Sequence, residues 1–169
     1  MSIFDPGRFC ESVYRIPFRR LREEGVKGLI FDIDNTLVPP DQEADERSMA
    51  LFRELREMGF RLCLLSNNSE KRVEPFARAL RVDYVCQALK PRKYGYLKAL
   101  ERMGTSPGET ISIGDQLFTD IWGANRVGMD TILVAPMKDR EDLQIFLKRL
   151  LERPILWHYF RRKRRDWNG

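Results

Sequence analysis

The feature that most constrains the fold is a regular alternation of short apolar runs with longer amphipathic patterns. Runs rich in β-forming residues predict five strands, over 27–34, 60–66, 82–86, 110–114 and 130–136. Helical spacing of apolar residues separates these strands and follows the last one, over 43–59, 69–80, 91–104, 116–128 and 139–152. Strands that alternate with helices of this length predict right-handed βαβ units. We therefore expect an α/β protein with a Rossmann-like, doubly wound, five-stranded parallel sheet.

The length of the chain favours one domain. Its 169 residues, of which 43% are apolar and 33% charged, are enough to bury a core. We expect a single domain over 1–152 and a basic, aromatic C-terminal tail over 153–169. No apolar run approaches the length that crosses a bilayer, and the N-terminal residues lack the order of a signal peptide. The three widely spaced cysteines contain no CxxC pair, which is typical of a reducing compartment and predicts a cytoplasmic protein.

Two carboxylates set two residues apart end the first predicted strand, in the stretch GLIFDIDNTLVPPD. The apolar run before Asp32 and Asp34 is continuous, as in a strand that is buried on both faces. Like charges in a half-buried place repel each other and lose solvation. A bound cation, a shared proton or nearby basic groups must offset that cost.

Polar residues also stand at the ends of other predicted strands. Ser66 and Asn67 come after the second strand, Lys90 precedes the third helix, and Asp115 and Asp120 follow the fourth strand. In open parallel sheets, ligands bind outside the carboxyl ends of the strands. Carboxylate oxygens suit a hard cation such as Mg²⁺, while a lysine and a helix N-terminus suit a phosphoryl group. This edge of the sheet could therefore hold both.

The sequence contains one histidine, His158, and it lies in the tail. This excludes a histidine-rich zinc site, a Ser-His-Asp triad and phosphohistidine chemistry. Any catalysis then depends on carboxylates, lysine, hydroxyl groups and metal.

Four motifs, in this order, resemble those of the haloacid dehalogenase (HAD) superfamily of phosphotransferases. They are D-x-D-x-T from Asp32 to Thr36, the S-N pair at Ser66, the K-P pair at Lys90, and G-D-x-x-x-x-D from Gly114 to Asp120. The resemblance covers residues 25–136, and the agreement of four separate motifs makes it specific. The wording FDIDNTLVP, SNN and GDQLFTDIWGANRVGM is similar to the YqeG-type phosphatases of subclass IIIA. That group includes relatives that act on phosphatidylglycerophosphate.

The resemblance implies a phosphatase that works through a covalent intermediate. Asp32 would be the nucleophile and would form an aspartyl-phosphate, which divides one difficult displacement into two easier ones. Asp34 would protonate the leaving oxygen and later deprotonate the attacking water, with its backbone carbonyl on the metal. Lys90 would neutralise both Asp32 and the phosphoryl oxygens.

The same resemblance implies a phosphoryl cradle and a Mg²⁺ site. Thr36 and Ser66 would donate hydrogen bonds to the phosphoryl group, and Asn67 would position it. Asp115 would be the main acidic metal ligand besides Asp32, and Asp120 would ligate or orient from the next helical turn. The implied metal ligands are Asp32, Asp34, Asp115 and Asp120. Mg²⁺ and Lys90 would then offset the charge of the crowded aspartates.

Two other classes of protein use similar residues. A phosphorylation-receiver domain also has five parallel strands, carboxylates at the sheet end and a lysine. It carries acidic residues ahead of its phosphorylated aspartate, whereas none precedes Asp32 on its own strand. A purely binding HAD-like module is favoured where the nucleophile or Asp34 is lost, and both residues are present here.

The spacing of the motifs leaves no room for a large cap domain. The intervals from Asp34 to Ser66 and from Asn67 to Lys90 each have space for one helix and one strand. A cap restricts substrates in the HAD superfamily, so a capless site favours a large or surface-presented phosphorylated substrate, or a cap from another subunit. We expect a lipid phosphate, and the resemblance suggests phosphatidylglycerophosphate. A phosphoprotein, a nucleic-acid end or a small phosphomonoester stays open.

The net charge of +5 is concentrated in the tail. Six basic residues and one acidic residue lie over 153–169, so the rest of the chain is neutral. The stretch ILWHYFRRKRR suits an anionic headgroup region and predicts a peripheral contact with the inner face of a membrane. The same composition suits nucleic acid, or a solubilising tail whose aromatic residues pack on the domain. The N-terminal stretch over 4–25, with arginines among apolar residues, equally suits a membrane face or the edge of the sheet.

Overall fold

A computed structural model describes residues 3–137 and residue 154. The centre of the fold is a six-stranded sheet in which every pair of neighbouring strands is parallel. The strands are β1 Arg8–Cys10, β2 Gly28–Phe31, β3 Arg61–Leu65, β4 Asp83–Val85, β5 Thr110–Gly114 and β6 Asp130–Val134. The helices are α1 Phe18–Glu23, α2 Glu46–Glu57, α3 Glu70–Leu80, α4 Lys93–Met103 and α5 Trp122–Asn125. Shorter 3₁₀ and π-helical turns lie at Val13–Arg15, Pro107–Glu109 and Leu117–Ile121.

The strand order, β1-β6-β5-β2-β3-β4, places β2 between β5 and β3. Phe31 at the end of β2 is aligned with Leu64 of β3 and with Ile113 of β5. All four residues of β2 are buried, as expected for a strand that is covered on both faces. The loops that follow β2, β3 and β5 therefore leave the sheet side by side.

Helices cover both faces of the sheet. One hydrophobic cluster joins α1, α2 and α3 to the sheet and includes Phe31 and Phe52, whose ring centroids lie 5.0 Å apart. A second cluster joins α4 and α5 to the sheet and includes Ile30 and Tyr96. Successive residues of a strand face opposite ways, so neighbouring residues of β2 supply the two clusters. The doubly wound, parallel α/β architecture predicted from the sequence is confirmed.

The expected number of strands is one too few, because β1 was not predicted. This strand lies at the edge of the sheet, where Cys10 is aligned with Val134 of β6. It is only three residues long, so its definition depends on pairing rather than on a local pattern. Arg8 anchors it through ion pairs with Glu24 at 2.8 Å and Asp130 at 3.4 Å. The N-terminal stretch thus covers the sheet edge, which is one of the two roles that its sequence suits.

Two helical details differ from the sequence-based expectation. The helix expected over 116–128 is instead the π-helical turn Leu117–Ile121 followed by the short α5. Oδ2 of Asp120 accepts a hydrogen bond from the backbone N of Gln116 at 3.1 Å, and this side-chain contact competes with regular helix formation. The helix expected from residue 91 begins at residue 93, because a turn closed by a hydrogen bond from Arg92 N to the Leu89 carbonyl precedes it.

The intervals between the motifs hold no inserted domain, as the spacing predicted. α2 and β3 lie between Asp34 and Ser66, and α3 and β4 lie between Asn67 and Lys90. In the part of the chain that the structure describes, no helix is both long and apolar enough to cross a bilayer. The helix predicted over 139–152 lies outside the described residues, as does the tail over 153–169 apart from residue 154.

Candidate active site

The carboxyl ends of the central strands bring predicted site residues together. Asp32 and Asp34 follow β2, Ser66 and Asn67 follow β3, and Lys90 comes from the loop before α4. All five residues line one cleft of about 300 Å³. The strand order explains this meeting, because β2, β3 and β4 are neighbours in the sheet and Lys90 follows β4.

Lys90 links two carboxylates, of which Asp32 directly follows β2 and Asp120 lies in the π-helical turn after β5. Its Nζ lies 2.6 Å from Oδ1 of Asp32 and 2.7 Å from Oδ1 of Asp120, and only 5% of its side chain is exposed. Burial by itself lowers the pKa of Lys90, but the carboxylates of Asp120 and Asp32 outweigh this effect and leave the pKa above its ordinary value. The ammonium group is therefore held charged beside Asp32.

The backbone of Lys90 is fixed by Asn67 and by close packing of α4. Oδ1 of Asn67 accepts a hydrogen bond from Lys90 N at 2.7 Å, and Nδ2 of Asn67 donates to the Lys90 carbonyl at 3.4 Å. A Cβ at Gly95 would lie 2.7 Å from the Cβ and the carbonyl oxygen of Ala88, so glycine permits this approach. The described contacts of the Asn67 amide are thus to Lys90, and the positioning of a phosphoryl group that the resemblance implies for Asn67 stays a prediction.

Three carboxylates converge beside Lys90. Asp32, Asp115 and Asp120 each offer an oxygen, and these oxygens lie within 4.8 Å of one another. Asp115 and Asp120 are 4% and 2% exposed, so water can solvate their charge only weakly. When all are ionised, the cluster carries three negative charges against the single positive charge of Lys90. The residues present therefore fit a hard divalent cation that is held by oxygen atoms.

Asp32 lies where the cleft meets this carboxylate cluster, and 11% of its side chain is exposed. Burial raises the pKa of Asp32 to about 7; the charge of Lys90 opposes this shift, and Asp120 adds to it. A cation at the cluster would favour the ionised form of Asp32. The ionised form is also the nucleophilic one.

The surroundings of Asp120 explain the glycine of the G-D motif. A Cβ at Gly114 would lie 2.4 Å from Cγ of Asp120, so a larger residue would displace that carboxyl group. The hydroxyl of Tyr96, on α4, donates to the Thr119 carbonyl at 2.8 Å and lies 3.2 Å from the Asp120 carbonyl. Burial and the nearby Asp120 raise the pKa of Tyr96, so its hydroxyl keeps the proton that it donates.

The carboxyl group of Asp34 stands outside the cluster and is held by three donors. Oδ1 accepts hydrogen bonds from Nη2 of Arg72 at 2.8 Å and from Asp41 N at 3.1 Å. Oδ2 accepts a hydrogen bond from Nδ2 of Asn68 at 2.6 Å. The side chain of Asp34 is 22% exposed and lines the cleft, so a bound ligand can reach it.

No role was predicted from the sequence for Arg72 or for Asn68. Arg72 lies in the first turn of α3, directly after the loop that carries the S-N motif. That short separation was the available signal, because a long side chain at the start of α3 can reach the end of β2. Gln116 and Thr119 also line the cleft, although no role was predicted for them from the sequence.

Thr36 and Ser66, both predicted to contact a phosphoryl group, differ in their positions. Ser66 lines the cleft, and its Oγ accepts a hydrogen bond from Asn68 N at 3.1 Å, so its own proton stays available for donation. Thr36 is 1% exposed and is not among the residues that line the cleft. Its Oγ1 has no hydrogen-bond partner among the described residues.

The fold and the site together define a class of protein, the HAD-like hydrolases. A family model described as "Hydrolase: haloacid dehalogenase-like hydrolase" matches residues 42–128. The chain belongs to this family, and within the family it is a phosphatase.

The relatives of the chain include named phosphatases. It is 36% identical over 167 residues to "Probable phosphatase YqeG" of Bacillus subtilis (strain 168). This match covers 98% of this chain and 97% of that protein. It is 30% identical over 164 residues to "Phosphatidylglycerophosphate phosphatase 1, chloroplastic/mitochondrial" of Arabidopsis thaliana. The latter match covers 87% of this chain and 45% of that protein, so the chain spans less than half of that relative. An uncharacterized protein from Listeria monocytogenes serotype 4b shares the fold, with a TM-score of 0.56 and 18% identity over 69% of this chain and 85% of that one.

Proposed function

We propose that the chain is a Mg²⁺-dependent phosphomonoester hydrolase that works through an aspartyl-phosphate on Asp32. The observation that carries this proposal is the position of Lys90, whose ammonium group bridges Asp32 and Asp120 at the cleft. Phosphoryl transfer requires a nucleophile, a fixed positive charge and cation ligands that lie close together.

In the first step, a carboxylate oxygen of Asp32 forms a bond to phosphorus while the ester P–O bond breaks. Lys90 stabilises the negative charge of the transferring phosphoryl group. The leaving oxygen takes a proton from Asp34, which lines the same cleft. Ser66 donates a hydrogen bond to a phosphoryl oxygen, and Thr36 and Asn67 support that cradle.

In the second step, Asp34 accepts a proton from a water molecule whose oxygen attacks phosphorus. The P–O bond to Asp32 then breaks, inorganic phosphate leaves, and both carboxyl groups return to their starting state. Asp34 therefore acts first as an acid and then as a base. Its hydrogen bonds with Arg72 and Asn68 keep it in one place for both steps.

The carboxylates of Asp32, Asp115 and Asp120 would hold Mg²⁺, together with the backbone carbonyl of Asp34. When bound, the ion would neutralise charge on the phosphoryl oxygens and on Asp32. The contribution of the chain is to keep three carboxylates close together in a buried place.

The proposed substrate is phosphatidylglycerophosphate or another exposed lipid phosphate. Two observations support a lipid. The intervals between the motifs carry no inserted domain, so a surface-presented phosphate can reach the cleft. The Arabidopsis relative is named as a phosphatidylglycerophosphate phosphatase. In this proposal the basic tail over 153–169 adds a peripheral contact with the inner face of the membrane.

Phosphate release tests the proposal. The substrates are phosphatidylglycerophosphate in anionic vesicles and a soluble aryl phosphate, each with Mg²⁺ or with EDTA. Asp32→Asn is compared with the parent, and Asp83→Asn serves as a control because Asp83 is exposed at the start of β4, away from the cleft.

We expect Mg²⁺-dependent turnover of both substrates in the parent and in Asp83→Asn, and its loss in Asp32→Asn. Turnover of the aryl phosphate alone would support the proposed mechanism and refute the lipid substrate. Turnover that persists in Asp32→Asn would refute the mechanism.

A further inference from the structure

The segment between the active-site lysine and the middle of α4 presents large apolar side chains to solvent. Five large hydrophobic residues are exposed in the described part of the chain, and three of them lie here. These are Leu89, Tyr94 and Leu97, which are 54%, 57% and 52% exposed. With their basic neighbours they form what we call the 89–98 patch, defined by Leu89, Arg92, Lys93, Tyr94, Leu97 and Lys98.

The charge of the 89–98 patch has one sign. The patch contains Arg92, Lys93 and Lys98 and no acidic residue, and Glu101 follows it one turn further along α4. None of these three forms an ion pair with an acidic residue in the described part of the chain. Because the chain outside the tail is neutral, the patch is a local concentration of positive charge.

Leu89 occupies a position that its residue type does not favour. Its φ is 54°, in the left-handed region where glycine and asparagine are favoured, and its side chain is largely exposed. Both the backbone and the solvent would favour a different residue here. An exposed leucine held in this conformation next to Lys90 is available for a contact outside the fold.

The patch is continuous with the active-site cleft. A shallow hollow of about 750 Å³ is lined in part by Leu89, Lys90 and Arg92. The hollow shares Lys90 and Asn67 with the cleft that holds Asp32. A molecule seated at the Leu89 end of the patch therefore lies next to Lys90, which contacts the nucleophile Asp32.

We propose that the 89–98 patch docks on the surface of an anionic membrane. Leu89, Tyr94 and Leu97 would enter the boundary between headgroups and acyl chains, and the basic side chains would contact lipid phosphates. A second copy of the chain on the same patch would set basic side chains against each other, which disfavours self-association there. The inference extends the proposed function and rests on it for the identity of the substrate, because docking presents a phosphorylated headgroup to the cleft.

Flotation of the full chain with vesicles tests this docking. The vesicles contain phosphatidylcholine alone or phosphatidylcholine with phosphatidylglycerol. One variant, Tyr94→Gln with Leu97→Gln, removes apolar surface, and another, Lys93→Gln with Lys98→Gln, removes charge. None of these four residues lines the cleft or the hollow, and glutamine is a good helix former, so α4 is retained.

Met49→Gln with Arg53→Gln provides a matched control. It changes one exposed apolar residue and one exposed basic residue on α2, which packs against the opposite face of the sheet. Melting temperatures verify that each variant is folded, and gel filtration records its oligomeric state.

We expect the parent and the control to bind only the vesicles that contain phosphatidylglycerol. For each patch variant, the partition coefficient onto these vesicles should be at least about tenfold lower than for the parent. Absence of binding by the parent, or equal binding by patch variants and parent, would overturn the proposal. A parent dimer that the patch variants dissociate would overturn it in favour of a second copy of the chain. Binding requires no turnover, so this result and the result for Asp32→Asn can fail separately.

Discussion

Nη2 of Arg72 lies 2.8 Å from Oδ1 of Asp34, in an ion pair whose side chains are 20% and 22% exposed. Arg72 also donates to the Gln42 carbonyl at 2.8 Å, and its Cζ lies 5.3 Å from the centre of the Phe76 ring. These contacts fix the guanidinium group. Through it they fix the carboxyl group that transfers protons in the proposed mechanism.

Arg72→Gln should therefore weaken proton transfer to the leaving group more than it weakens the attack by Asp32. For an alkyl phosphate, whose leaving oxygen needs a proton, we expect kcat to fall by about tenfold or more. For p-nitrophenyl phosphate, whose leaving group needs no proton, the fall should be several times smaller. Steady-state kinetics with both substrates measures the difference.

Arg78→Gln is the matched control for Arg72, because Arg78 lies on the same helix in an exposed pair with Glu74. It should leave kcat for both substrates unchanged. In an Asp34→Asn background, Arg72→Gln should add little further loss, since the two residues act as a unit. Equal losses for both substrates, or additive losses in the double variant, would refute the positioning role.

Binding of Mg²⁺ should weaken as the pH falls below 7. Burial raises the pKa of Asp32 from 3.8 to about 7, so in this range protons and the cation compete for the same carboxylate. The raised pKa of Asp32 also determines how the free energy of unfolding changes with pH. Between pH 4 and pH 7 the metal-free folded chain binds more protons than the unfolded chain, so Asp32 destabilises the fold as the pH rises.

Titration calorimetry from pH 5 to pH 8 measures this competition. The Kd for Mg²⁺ should rise by up to about tenfold for each pH unit below 7 in the parent. Asp32→Asn should bind more weakly and with a smaller pH dependence. A Kd that is flat across this range in the parent would contradict the role of Asp32 as a ligand.

Gly114→Ala should disturb the cation site, although Gly114 itself offers no carboxylate to a cation. The added Cβ would lie 2.4 Å from Cγ of Asp120, so this carboxyl group must move. We expect the affinity for Mg²⁺ to fall by about ten- to a hundredfold. Gly108→Ala is the control, because a Cβ at Gly108 meets no described atom within 4 Å. Unchanged affinity in Gly114→Ala would show that the position of Asp120 is unimportant.

Cys63 should make the fold less stable in alkali. Burial raises the pKa of the Cys63 thiol from 9.0 to about 12. Between these values the unfolded chain releases a proton that the folded chain retains, so stability is lost as the pH rises above 9. The loss from this group approaches about 1.4 kcal/mol for each pH unit.

Urea unfolding at pH 8 to pH 10.5 isolates this effect by comparing the parent with Cys63→Ala. The alanine variant leaves a small cavity and should be less stable at pH 8, but its free energy of unfolding should decline less steeply above pH 9. Parallel declines in the two proteins would contradict the shift in pKa.

The motif-bearing edge of the sheet was predictable from the sequence. The apolar run before Asp32 and the residues that follow each later strand are local patterns, and parallel strands place their ends at one edge. The structure brings Asp32, Lys90, Asp115 and Asp120 together as that reasoning expected. Their catalytic roles remain predictions.

Other features depend on contacts between distant parts of the chain and were not predictable. β1 exists because it pairs with β6, and the pattern of three residues gives no strand signal. Arg72 donates a hydrogen bond to Asp34, and Asn67 accepts one from the Lys90 backbone. Both contacts depend on how α3 and the loop before α4 pack. Thr36 is buried and does not line the cleft, so the hydrogen bond to a phosphoryl group that the resemblance implies for it stays a prediction.

In the proposed mechanism Asp32 carries the phosphoryl group during turnover. Trapping that group by acid quench, with a radiolabelled aryl phosphate and Mg²⁺, tests the mechanism most directly. We expect an alkali-labile label on the peptide that contains Asp32, a stronger label in Asp34→Asn because activation of water is impaired, and none in Asp32→Asn. Turnover without any label on the protein, or a label on another residue, would contradict the mechanism.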